Sequence, residues 1–304
     1  MNWLKILWMP MLAWITGCKA QPQLVPEPDG KTLLWQVSGN GLKTPSYFFG
    51  TMHILCAQDA NLSPQVMQLL DYVNQVYFEV DLDDMAQLFT SIKAMAMKDG
   101  VKLKDLLNEE EYEKVRNYFS GKLPLPFSLM ENYKPMLLSA MIAEKQMPCE
   151  ATNGMELLIM GEAGKRKMEV YGLETMAYQA SLFDSIPYDV QARELVKAID
   201  SADVASTTVQ ELLKVYRNQD LAAIEKLTLE DESGIGDNAN LLLYNRNRNW
   251  VEQFGSIASK GPTLFAVGAG HLPGANGVLE LLHKKGYTVT PLKNEPKGLK
   301  KASI

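Results

Sequence analysis

Short runs of alternating apolar and polar residues occupy both ends of the chain, and helix-spaced patterns fill the middle. Thr32–Gly39, Tyr47–Leu55, Gln75–Asp84, Met168–Thr175, Gly261–His271 and Tyr287–Leu292 read as strands, bounded by turn residues such as "GLKTPS". Ser63 followed by Pro64 reads as a helix start, with an N-cap and a first-turn proline ahead of apolar spacings of three and four. From Met85 to Met147 the pattern is helical, and its many methionines suit irregular core gaps better than a cofactor site. "GMELLIMGEAGKRK" reads as a helix closed by Gly164. Residues 177–254 read as further helices, and Gly274–Gly286 as one more. Strands and helices alternating at both ends, with a helical insertion at about 85–165, predict an α/β fold: a mixed central sheet plus a helical subdomain.

The chain has 304 residues, enough for a sizeable core. Its net charge of −6 and the lack of a basic stripe argue against nucleic acid as a partner. The first residues are expected to stand outside the fold. "MNWLKILWMPMLAWITGC" has the layout of a signal peptide over 1–17. Ile15-Thr16-Gly17-Cys18 resembles a bacterial lipobox, which implies a lipidated (palmitate-bearing) Cys18. A short membrane anchor and an ordinary secretory signal are the alternatives, although Ile6–Cys18 is short for a spanning helix. Lys19, by the bacterial sorting rule, favours an outer-membrane lipoprotein facing the periplasm. Residues 18–31 read as a Pro- and Gln-rich tether, 32–293 as the folded domain, and 294–304 as a basic, solvated tail. Cys56 and Cys149 remain, an even pair that suits one disulfide in an oxidising compartment, or else two buried thiols.

Candidate chemistry collects where strands end. The chain has three histidines. Two stand in the same frame, Gly-x-x-His: Gly50 to His53 and Gly268 to His271. Each glycine is expected to let the strand turn sharply. Glu79 lies within a strand rather than after it, which is costly for a carboxylate without a partner. Alternation puts Tyr77, Glu79 and Asp81 on one face. Glu174 ends another strand. Ligands of open α/β sheets bind beyond the carboxyl ends of the strands, so these residues are expected to share a crevice. Two imidazoles with carboxylates suit a divalent metal, and equally suit acid–base catalysis without one. Arg246 and Arg248 could bind an oxyanion or a substrate carboxylate, yet by themselves read as a solvated helix end. His283, beside two lysines on an amphipathic helix, reads as a surface residue.

"FFGTMH", "VYFEVD", "YGLET", "YNRNRNW" and "FAVGAGHLPGANGVLELLHKKGYTV", in this order, resemble the TraB/GumN family, which includes the Tiki proteases. The resemblance runs from about Leu33 to Leu292. It implies a fold of the erythromycin-esterase (EreA)/ChaN type. It implies a metal-dependent hydrolase, a peptidase acting on a peptide or protein, with Mn or Co favoured and Zn suitable. Carried over, the metal ligands are His53, Glu79 and His271. The arginine-asparagine pair falls on Arg246-Asn247, and Glu174 or Asp81 would assist as partner or base. The alternative is a non-catalytic lipoprotein that binds haem, metal or a peptide signal in the same crevice.

Overall fold

The computed structural model describes residues 20–81, 84, 91–120, 126–202, 206–230 and 236–296. The leader, Cys18 and most of the tail lie outside these residues. Among the described residues no helix is long and apolar enough to cross a membrane.

The sequence patterns settle into a mixed six-stranded sheet flanked by helices. Its strands are β1 (Leu34–Ser38), β2 (Ser46–Thr51), β4 (Gln75–Val80), β6 (Glu169–Glu174), β7 (Thr263–Gly268) and β8 (Thr288–Leu292). A small ribbon joins β3 (Leu55–Cys56) to β5 (Thr152–Asn153). The order across the large sheet is β6-β4-β7-β2-β1-β8. Its first four strands run parallel, while β1 pairs antiparallel with both β2 and β8. Every residue of β2 is buried, as befits an inner strand covered on both faces. Phe48 of β2 stacks on Phe265 of β7 with centroids 4.8 Å apart, and Phe254 packs against both.

The helix Pro64–Tyr72 starts as its sequence predicts: the Ser63 side chain accepts from the Val66 N–H at 3.1 Å. The helix Met155–Lys165 ends later than expected. Gly164 lies inside it, and the left-handed residue is Lys167, with φ of 52°. The Met168 and Lys167 N–H groups then close the end on Ala163 and Gly164.

A second core lies apart from the sheet. It gathers Leu103, Val115, Phe119, Phe127, Leu138 and Ile142 from the expected insertion. It also recruits Ala192, Leu195 and Val196 from the helix Tyr188–Asp200, whereas Met155, Ile159 and Ala163 pack in the main core. Buried Lys134 joins the insertion to the segment that precedes the helix Tyr188–Asp200, bonding Ala180 O and Asp184, each at 2.7 Å. The tail begins docked rather than solvated. Asn294 is buried and exchanges two 2.7 Å hydrogen bonds with Gln219, one from each side chain. Cys56 and Cys149 form a disulfide with Cα atoms 5.8 Å apart, beside the β3–β5 ribbon.

Candidate functional site at the strand ends

β7 lies between β4 and β2, and this order brings the two Gly-x-x-His frames side by side. Gly50 pairs with Val267 and Thr51 with Gly268, so both histidines follow adjacent parallel strands. The glycines are needed for space rather than for turning. Neither Gly50 nor Gly268 has a positive φ. A Cβ on Gly50 would meet Leu272 and Leu33 side chains at 3.0 and 3.1 Å and the Ala269 Cα at 3.2 Å. A Cβ on Gly268 would meet Glu79 Oε1 at 3.0 Å, where the Gly268 N–H donates to that oxygen at 2.8 Å.

Glu79 is buried on β4 and is paired, as its position inside a strand requires. Arg246 is the hub of the site. Its Nη2 lies 2.5 Å from Glu79 Oε2 and 2.5 Å from Glu174 Oε1, and its Nε donates to that same Glu174 oxygen at 2.7 Å. Nη1 donates to Leu242 O at 2.9 Å and lies 3.1 Å from His271 Nε2. Leu242 belongs to a π-helical turn, Asn240–Tyr244, just before the helix Asn245–Ala258 that carries Arg246. Gln179 spans the two carboxylates, donating to Glu79 Oε2 at 3.2 Å and Glu174 Oε1 at 2.8 Å. Trp250 donates to Glu174 Oε2 at 3.2 Å and packs on His271, ring centroids 4.5 Å apart. Arg248 lies on the other side of the helix and bonds Asn245 at the surface, since two positions along a helix rotate a side chain by about 200°.

The histidines differ. His271 is buried, and its Nδ1 lies 2.6 Å from Asn247 Oδ1. Asn247 Nδ2 donates to the carbonyls of His271 and Asn276, which fixes its oxygen toward the ring. His271 therefore carries its proton on Nδ1 and accepts from Arg246 Nη1 at Nε2, which also lies 3.7 Å from Glu79 Oε1. Burial, assisted by the charges of Arg246 and His53 against the pull of Glu79, depresses its pKa to about 3. His53 stands at the rim, its side chain 67% exposed, with Nδ1 2.8 Å from Glu156 Oε1. The Glu156 carboxylate against Nδ1 raises its pKa to about 9. Desolvation and Arg246 oppose that rise, and the charges of Glu156 and Glu79 add to it. Burial opposes the charge on Glu79. The cationic field of its neighbours and the Gly268 N–H outweigh burial and hold its carboxyl well below the usual range.

The structure thus brings Glu79, Glu174, Arg246 and His271 into one contact network. His53 is not drawn into it: its Nδ1 lies against Glu156, outside the hydrogen bonds that join Arg246 to Glu79, Glu174 and His271. Asp81 follows β4, with its backbone nitrogen against Gly172. His283 is exposed, 3.8 Å from Glu280. Among the described residues no three His, Cys, Asp or Glu side chains lie close enough to share one ion. The chemistry of the donors nevertheless fits a divalent cation. His53, with Nδ1 at Glu156, leaves its Nε2 open, whereas His271 Nε2 opens to a cation only where Arg246 Nη1 gives it up. Glu79 and Glu174 are two carboxylates facing one guanidinium.

Sequence reasoning passed over Glu156, Gln179 and Trp250. Glu156 had one available signal, an acid in the first turn of a helix whose cap is Gly154. Gln179 and Trp250 had none, for both lie in ordinary helical patterns.

A family model described as "TraB/PrgY/gumN family" matches residues 33–291. The chain belongs to this family. Members similar to it include Metalloprotease TIKI1 of Danio rerio, 23% identical, with 90% of this chain and 65% of the relative covered. Metalloprotease TIKI2 of Danio rerio is 21% identical, with 87% and 62% covered. Metalloprotease TIKI1 of Homo sapiens is 22% identical, with 90% and 64% covered. The chain therefore spans slightly less than two thirds of these TraB/PrgY/gumN relatives. No solved structure matches it.

Proposed function

We propose that this chain is a membrane-tethered, metal-dependent peptidase of the bacterial envelope. The observation that carries the reading is the pair of histidines beyond adjacent parallel strands, each with Nδ1 against an acceptor, with buried Glu79 on β4, the strand next to that of His271. The relatives named metalloproteases support it. His53, Glu79 and His271 would hold the cation, with Mn or Co favoured by family resemblance and Zn also suited to the donors. When bound, the ion supplies Lewis acidity toward a scissile carbonyl and a more acidic water. The remaining work falls to this chain's own residues. Asn247 keeps His271 in one tautomer, and the Gly268 N–H and Arg246 keep Glu79 ionised and aimed. Glu174 and Gln179 hold Arg246 and Glu79 in place, and Trp250 shields the network from water. Arg246 offers positive charge where an oxyanion or a substrate carboxylate would develop or bind. The substrate class is a peptide or protein.

Arg246 Nη1 on His271 Nε2, the place a cation would take, favours a second reading, a metal-free hydrolase in which the exposed His53 imidazole moves the proton. A peptide-library screen with the purified protein, with added Mn²⁺ or Co²⁺ and then with excess chelator, separates the two. Cleavage that chelator abolishes and metal restores supports the first; cleavage indifferent to chelator supports the second. Cleavage under neither condition leaves a binding protein for haem, metal or a peptide signal. Cys18 is proposed as the lipid anchor to the outer membrane, facing the periplasm. Cys18→Ala is expected to shift the protein to the soluble fraction or block its processing, and unchanged mass and fractionation would refute the anchor.

A further inference from the structure

Glu156 is buried; among the described residues its Oε1 finds no aligned hydrogen-bond donor, and its ion-pair contact is His53 Nδ1 at 2.8 Å. A buried carboxylate with a single, largely exposed partner costs more than an apolar side chain of the same size would. Its position in the first turn of the helix Met155–Lys165 eases that cost through the helix dipole, but any exposed first-turn acid would do the same. The surroundings are built to bring this carboxylate to this ring. Gly154 caps the helix where a Cβ would lie 2.6 Å from His53 O, so a side chain there would push the two segments apart. The Met155 N–H donates to Met52 O at 3.2 Å, one residue before His53. Next to it, Leu55 pairs with Asn153 and Cys56 with Thr152, and the Cys56–Cys149 disulfide closes the ribbon. Four ties between residues 52–56 and 149–156 hold Glu156 against the first Gly-x-x-His frame.

We propose that Glu156 is a positioning residue. By occupying Nδ1 it fixes the His53 ring on its exposed loop and reserves Nε2 for the ion or substrate. The disulfide-closed ribbon and Gly154 are the mount that holds it there. The proposal rests on the function proposed above for what Nε2 then does, but the positioning itself is independent of it. The carboxylate plays for His53 the part that Asn247 plays for His271, and an outer partner of this kind typically changes metal affinity 10- to 100-fold when removed.

The test is a series of full-length variants, Glu156→Asp, Glu156→Gln and Glu156→Leu. Thermal melting and a free-thiol count come first, to show that fold and disulfide persist. Loss of a buried charge to leucine is expected to leave melting near that of the wild type. The first readout is the NMR order of the His53 ring, easily assigned among three histidines. Order is expected to fall sharply in Glu156→Leu, to fall partly in Glu156→Gln, which keeps an acceptor, and to be best kept in Glu156→Asp. The second readout is Mn²⁺ or Co²⁺ affinity by calorimetry, expected to weaken about 10- to 100-fold in Glu156→Leu. In any peptide assay kcat should drop with KM little changed. A His53 ring as ordered in Glu156→Leu as in the wild type overturns the proposal, whatever the protein hydrolyses. Lost ring order with a wild type that binds neither metal nor peptide upholds the positioning and defeats the peptidase reading.

Discussion

The two Gly-x-x-His frames are spelled alike and stand on neighbouring strands, yet the fold treats them in opposite ways. His271 is sealed into a hydrogen-bonded network with Asn247, Arg246 and Trp250, and burial keeps it neutral. His53 stands in solvent, held from outside by one carboxylate on a disulfide-braced arm, and that carboxylate favours its charged form. The motif thus specifies where a backbone ends and how closely another chain segment approaches it. It does not specify the environment of the imidazole. One frame is rigid through noncovalent packing; the other depends on a mount contributed by residues 149–156.

The comparison can be broken most forcefully at the covalent tie. Removing the disulfide through Cys149→Ser releases a loop of 93 residues, for an expected loss of about 4–5 kcal/mol in the chain-entropy model. Urea unfolding of the variant against the wild type measures it. A loss below about 1 kcal/mol would mean that the ribbon is held by other contacts. Next in size, Arg246→Ala strands two buried carboxylates beside His271. It is expected to cost about 3–5 kcal/mol, and Arg246→Lys should not recover it, since an ammonium cannot replace the planar fork. Stability equal to wild type in Arg246→Ala would contradict the hub role.

The histidines themselves should separate next. His271→Ala leaves Asn247 Oδ1 without its donor and opens a buried space, for an expected loss of about 1–3 kcal/mol. His53→Ala should cost about 1 kcal/mol or less, because water can reach the Glu156 oxygen once the exposed ring is gone. In a peptide assay both should lose about 100-fold or more of the activity. Equal unfolding free energies for the two variants would erase the contrast drawn above.

The most diagnostic effect is the pH dependence of stability, measured in chelator. His271 has a folded pKa of about 3, below the ordinary value of about 6.5, so the unfolded chain binds more protons between those values. Stability should therefore fall as the pH drops from about 6.5 toward 3. Glu79, also depressed, deepens that loss below its ordinary range near 4.3. His53 behaves in the opposite sense. Its contribution is complete below about 6.5 and is lost as the pH rises through about 9. His53→Ala should flatten the alkaline limb and leave the acid limb, whereas His271→Gln should flatten the upper part of the acid limb. A wild-type curve that is flat between pH 6.5 and 9 would remove the basis for a charged, anchored His53.

Much of this protein was determined by its sequence alone. Six strand segments, the Ser63 cap, the burial of Glu79 with a partner and the exposure of His283 all follow from local rules of periodicity, capping and charge. Those rules act over a few residues, and their consequences survive any packing. The family too was legible, because its motifs keep their order along the chain. What tertiary structure decided was every relation between distant groups. Nothing local distinguishes Arg246 from Arg248; one is buried because its face of the helix meets Glu79, 167 residues away, and the other points outward. Nothing in Gly-x-x-His says that glycine is needed for close approach rather than for a turn, since the crowding comes from Leu33, Leu272 and Glu79 on other elements. Glu156, Gln179 and the opposite fates of His53 and His271 depend in the same way on which surfaces meet. Burial and hydrogen-bond partners are properties of the assembled sheet and its helices, and an imidazole takes its charge from them.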